Sequence, residues 1–189
     1  MNTEQTAMHT SDPIASLLAT PEPPRLGADP RAGVQPLESL QAAIDAAFAK
    51  QPTPQAEQQA ARGLVLLWHD HFDAAHEIVQ HLETAEGSYV HAILHRREPD
   101  YSNAKYWFRR VRQHPCYVPL AKAAEKILQS SNADGLSSRL LPGGKWDAFA
   151  FVDACEEAEA GRGGSKTTSA LRQVQAKEME LLLKHLLGE

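Results

Sequence analysis

The sequence predicts an all-α fold, built of tetratricopeptide-like stacked helical hairpins with flanking capping helices. Three observations lead there. Apolar residues recur at helical spacing from Pro36 onward. No alternating run long enough for a strand interrupts them. And one stretch repeats: at an offset of 29 residues, "LVLLWHDHFDAAHEIVQHL" (64–82) lies over "ILHRREPDYSNAKYWFRRV" (93–111). Leu64 then meets Ile93, Val65 meets Leu94, Phe72 meets Tyr101, Ala75 meets Ala104, Ile78 meets Trp107, Val79 meets Phe108 and Leu82 meets Val111. Each unit is helix, tight turn, helix, and such units bury their apolar faces only by stacking on neighbours.

The elements follow in order. Residues 1–35 hold five of the twelve prolines and "TPEPPRLGADPRAG", so an irregular N-terminal arm is expected there, with residues 36–189 as a single helical domain. "PLESLQAAIDAAFAKQ" places Leu37, Leu40, Ile44 and Phe48 at helical spacing behind Pro36. "TPQAEQQAARGLVLLWH" offers Thr53 as an N-cap, and Leu64 to Trp68, apolar nearly all round, should be buried. After a break at Asp70-His71 comes "FDAAHEIVQHLE". These segments form the first hairpin (59–82). In the second (88–112), Ser88 is read as the cap of "SYVHAILHRR", Pro99 as its stop, and Asp100 or Ser102 as the cap of "NAKYWFRRV". "VPLAKAAEKILQSS" is a further helix, "NADGLSSRLLPGGK" reads as a loop, and "WDAFAFVDACEEAEA" and "TTSALRQVQAKEMELLLKHLL" are two more helices separated by "GRGGSK".

Bulk numbers narrow the function classes. Net charge is −5, which argues against a dedicated nucleic-acid binder. Residues 96–112 do carry six Arg/Lys against two acids, but the interleaved aromatics fall at packing positions of the repeat. The start, "MNTEQTAMHTSDP", lacks a cationic region followed by an apolar run, and no window is long enough to span a membrane. The two cysteines, Cys116 and Cys155, have no CxxC spacing; buried inert thiols and a cytoplasmic location are expected. "GRGGSKTT" departs from the phosphate-loop spacing and reads as a flexible linker, and no G-x-S-x-G elbow is present. The amphipathic "EMELLLKHLL" fits either docking on the body or pairing in a homo-oligomer.

Candidate chemistry concentrates in "HAILHRREPDYSNAKYWFRR" (91–110). Six of the nine histidines fall between 69 and 95. On a helix, His91 and His95 form a row beside the apolar arc, with Glu98 one turn further. Three readings follow. His91 and His95, with His69, His76 or Glu98 as a third group, can hold a divalent metal and support a metal-dependent hydrolase. The same histidines with Arg96, Arg109, Asp100, Asn103, Tyr106 and Trp107 can line a polar groove for an anionic small molecule or peptide. Or the set is structural, with each polar group near the core finding a partner.

"WHDHFDAAH" and "HAILHRREPDYSNAKYWFRR" resemble a family of uncharacterised tetratricopeptide-like proteins, bacterial and fungal. Its members show W-H, then A-H, then H-A-x-x-H-R-x-E-x-D-x-x-N-x-x-Y-W. The match covers Trp68, His69, Ala75, His76, His91, Ala92, His95, Arg96, Glu98, Asp100, Asn103, Tyr106 and Trp107, and "WDAFAFVD" follows the family's W-D-x-F-x-F-V-D. The resemblance implies a helical fold and a shared polar cluster, and no particular activity. Pro99 stands where some relatives have glycine.

Overall fold

A computed structural model describes residues 13–49 and 53–189. Residues 1–12 of the N-terminal arm lie outside them. The described residues form ten α-helices and one short 3-10 turn, with no strand. None of these helices is long and apolar enough to cross a membrane.

The arm is not wholly irregular. Helix α1 (Pro13–Leu17) opens the described chain, and Ile14 and Leu17 are buried. Residues 18–36 have no regular structure, yet they pack closely. Leu26 is buried, and buried arginines pin the segment through its carbonyls: Arg31 donates to Glu22 O and Arg97 Nε to Arg25 O (3.0 Å). Backbone carbonyls without a ladder need such donors when they are covered.

Helix α2 (Leu37–Phe48) buries Leu40, Ile44 and Phe48. Helix α3 (Gln55–Trp68) begins one step later than the Thr53 cap implied. Pro54 takes the cap position, and Thr53 instead offers its carbonyl to Gln58 Nε2 (2.7 Å). Its end, Leu64 to Trp68, is buried on every face because α2, α4 (Phe72–Val79), α5 (Ala85–Arg97) and α10 (Gly164–Leu186) all pack against α3.

The repeat is a structural one. Helices α4 (Phe72–Val79) and α6 (Tyr101–Val111) pack on α3 and α5 (Ala85–Arg97) respectively. Residues 72–79 and 101–108 show the same alternation of buried, half-buried and exposed positions, residue for residue. The turns match as well. His71 N donates to Leu66 O (3.0 Å) and Asp100 N to His95 O (2.9 Å), 29 residues apart. Each spans a residue at positive φ, Asp70 (φ 64°) and Pro99 (φ 27°). This closure of a helix C-terminus by an i→i+5 bond satisfies carbonyls the helix leaves free.

The same closure ends three more helices, the last of them through Glu189 N to Lys184 O (3.0 Å) over Gly188 (φ 76°). Ala133 N reaches Leu128 O (3.0 Å) at the end of α7 (Tyr117–Ser130), and Arg162 N reaches Glu157 O (2.9 Å) at the end of α9 (Ala148–Glu159). The spanned residues are Asn132 (φ 51°) and Gly161 (φ 75°). So α7 pairs with α8 (Asp134–Leu140), and α9 with α10 (Gly164–Leu186). The α8 segment was expected to be a loop. Its Gly and Ser content lowers helix propensity, but Leu140 is fully buried, and tertiary packing overrides the local preference. At 161–168 the expected linker shrinks to a turn, because Gly164 already opens α10.

One cap also differs. Thr84, not Ser88, starts α5: its hydroxyl accepts from Gly87 N at 3.0 Å. Gly87 is required there, since a Cβ would lie 2.3 Å from Leu82 Cβ. Asp100 caps α6 as expected, accepting from Asn103 N (3.2 Å).

Helix α10 crosses the pile and touches α1, α3, α7 and α9. It brings Glu178 and Gln175 into the core, where Glu178 meets Arg96 at 2.5 Å and accepts from Tyr89 Oη at 3.1 Å. All four side chains are buried, and Arg96 also lies 4.5 Å from the centre of the Phe151 ring.

Candidate metal centre

Three imidazoles converge. His91 and His95, one turn apart on α5, meet His76 from α4, and one ring nitrogen of each lies within 4.8 Å of the others. Two nitrogens bound to one tetrahedral zinc are about 3.3 Å apart, so closing this set on an ion would take a contraction of up to about 1.5 Å. The rings of His91 and His95 stack at 4.6 Å, and His76 meets both edge-on at 4.9 and 5.3 Å. On the far side Trp107 of α6 stacks on His91 at 4.0 Å. This is why Trp107 follows the helical spacing yet is only half-buried: its ring is a wall of the cluster.

Hydrogen bonding sets His91 apart from the other buried histidines among the described residues. His91 is buried, and neither of its ring nitrogens has a partner. A buried polar group in that state is costly unless something else binds it. His95 Nε2 lies 3.0 Å from the Asn103 side-chain amide, while its Nδ1 is unpartnered, 3.3 Å from Glu98 Oε2. Asn103 presents its Nδ2 to His95 Nε2, an orientation that leaves the ring proton on Nδ1, facing Glu98. Turning the amide so that its oxygen accepts Nε2–H would free the Nδ1 lone pair for a metal, with Glu98 beside it.

Burial favours the neutral form of His91 and His95. Burial holds the His91 pKa down at about 3, and the neighbouring His95 and His76 push the same way. His95 is lowered by burial and by His76, with Asp100 opposing. Burial raises Glu98, aided by Asp73 and Asp100 and opposed by His76. Uncharged imidazoles with free lone pairs are the form a divalent metal binds.

The remaining expected site residues lie elsewhere. His69 is fully buried with both nitrogens used, Nδ1 accepting from Gln35 N (3.2 Å) and Nε2 facing Leu17 O (2.8 Å). It holds the arm to α3 and does not reach the cluster. Arg96 faces α10 and the core, away from the imidazoles. Asp100 is engaged as a cap. Tyr106 is exposed, with its ring edge-on to Trp107 at 5.4 Å, and Arg109 lies on another side of α6, over Phe149 at 5.7 Å. So His76, His91, His95, Glu98, Asn103 and Trp107 assemble, while His69, Arg96, Tyr106 and Arg109 do not join them.

Two clusters went unseen in the sequence. Asp70 accepts from both Arg31 Nε (2.8 Å) and Arg97 (2.6 Å) at the α3–α4 turn, and those hydrogen bonds hold its carboxyl below the usual range despite burial. Glu86, His114 and His185 also lie close together. There, however, His114 Nδ1 accepts from Cys116 N (3.2 Å), so Nε2 must carry the proton in the neutral ring. Burial lowers its pKa to about 4. A metal on Nε2 would require loss of that proton, so this group is poorly suited to be a centre. Cys116 and Cys155 are buried, and burial pushes both thiols up to about 12, which leaves them unreactive.

No protein-family model, no curated protein and no solved structure matches the chain.

Proposed function

We propose that the chain binds a divalent transition metal, zinc by its ligand preference, through His76, His91 and His95, and uses it in hydrolysis with Glu98 as the adjacent base. The observation that carries this reading is the convergence of three imidazoles around His91, a buried histidine whose two nitrogens have no protein partner. Three histidines leave the coordination sphere open to water, and a bound divalent ion acidifies such a water toward neutral pH. Glu98, with its side chain partly solvent-accessible and its pKa raised, is suited to take a proton at that position. The motif resemblance fits this reading too, because the resembling residues include all three ligands, Glu98 and Asn103. Binding of an anionic small molecule or peptide in one groove, with Arg96, Asp100, Asn103, Tyr106, Trp107 and Arg109 beside the histidines, has less support because Arg96, Tyr106 and Arg109 lie apart from the imidazoles.

The test is metal content. Protein purified without an affinity tag or chelator is expected to carry close to stoichiometric zinc or another divalent ion, and His91→Ala to lose it while keeping its helical circular dichroism. Cobalt or copper added to the metal-free protein should quench Trp107 emission, since the indole stacks on a ligand. A folded wild type that neither retains nor takes up metal overturns the proposal. Glu98→Gln separates the two halves of the reading. It should keep the metal and lose hydrolysis of activated esters, and loss of neither would restrict the centre to a structural role.

A further inference from the structure

Arg109, Arg110 and Arg112 are exposed, and among the described residues none of them has an acidic partner within ion-pair distance. Two lie near rings instead: Arg110 is over Trp107 at 5.3 Å and Arg109 over Phe149 at 5.7 Å, contacts that engage the ring face and not the N–H edge. They border an open cleft of about 760 Å³ at the end of α6. Two neighbouring hollows share Gln113, Tyr117, Lys145 and Trp146 and add Lys122. Across the three hollows Arg109, Arg110, Arg112, Lys122 and Lys145 face two acids, Glu83 and Asp147, so the band is basic on a chain of net charge −5.

Apolar anchors lie in the same band. Among the described residues the exposed large hydrophobics are Tyr106 (48%) and Val118 (65%), and they sit at its two ends. Between them the buried Trp146 Nε1 lacks a hydrogen-bond partner. Tyrosine, tryptophan and arginine around a cleft are the composition of protein-recognition hot spots. Arg112 adds a backbone sign. It holds φ 58°, ψ −118°, a conformation suited to glycine, so a charged side chain is kept there against a conformational cost.

We propose that this groove, distinct from the metal centre, docks an extended acidic segment of a partner protein, with carboxylates on Arg109, Arg110 and Arg112 and apolar side chains against Tyr106 and Val118. Single-stranded nucleic acid fits less well. Base-stacking sites need successive open rings, whereas here one tyrosine is exposed and the other anchor is aliphatic.

The experiment is fluorescence anisotropy with a labelled Asp/Glu-rich peptide carrying leucine and phenylalanine, run beside a Gln/Lys version of it and an oligothymidine. The acidic peptide should bind, weaken with salt, and lose at least about tenfold in affinity with Arg109→Glu/Arg112→Glu. Metal content should be unchanged in that variant. Arg112→Gly is the sharper variant: it relieves the backbone, so melting temperature should rise while peptide affinity falls. Equal binding of the acidic and Gln/Lys peptides, tighter binding of oligothymidine, no binding of any probe, or unchanged affinity in Arg112→Gly would each overturn the proposal. Loss of metal binding with peptide binding intact would fail the metal reading alone.

Discussion

Single side chains carry the chemistry, and three of them invite measurement. In the unfolded chain His91 titrates near 6.5, whereas in the fold its pKa is about 3. Between those values the unfolded state takes up a proton that the folded state refuses, so stability of the metal-free protein should decline as pH falls through that window. Thermal melts against pH will show this, and His91→Gln should flatten the profile. A metal bound as proposed should stay held at pH values where ordinary histidines protonate. Pro99 occupies the turn position that Asp70 holds in the first hairpin, at a φ its ring resists. Pro99→Gly should therefore raise stability by about 1 kcal/mol in urea unfolding, whereas a drop would show that Pro99 fits its turn. Conversely, Gly87→Ala forces a Cβ into Leu82 and should cost about 1–3 kcal/mol.

Among helices and turns, much was legible and its limits are instructive. Helical periodicity located α2, α3, α6 and α7, and the 29-residue offset found a repeat whose two turns share the same closing bond. The row of His91 and His95 was readable because i, i+4 spacing is fixed by helix geometry. Which residue would join them was not: His69, His76 and Glu98 were equal candidates, and the choice depends on how α4 is rotated against α5. Helix α8 was missed since its stability comes from burying Leu140 rather than from its own residues. The hairpins ending at Asn132 and Gly161 share the turn of the first pair without its side chains, so sequence alignment of the repeat could not reach them. The role of Arg96 was hidden for a different reason, because its partner Glu178 lies 82 residues away.

For the whole molecule, that buried pair joins α5 to α10. Removing one partner leaves the other charge stranded, so Glu178→Ala should destabilise by about 3–5 kcal/mol in urea unfolding. Arg96→Met/Glu178→Leu, which removes both charges, should recover much of the loss; a double variant no better than the single one would locate the defect in packing instead. The separation along the chain also sets an order of events. The imidazoles and their tryptophan wall lie between residues 76 and 107, within neighbouring hairpins that close through local turns. Arg96, on the same helix, has no counter-charge until the last helix arrives. Refolding should then run in two stages, an early one reported by Trp107 and by metal capture, and a later one in which α10 docks and neutralises the core. The metal would be loaded into a half-built protein, and the final helix would close over an already furnished interior.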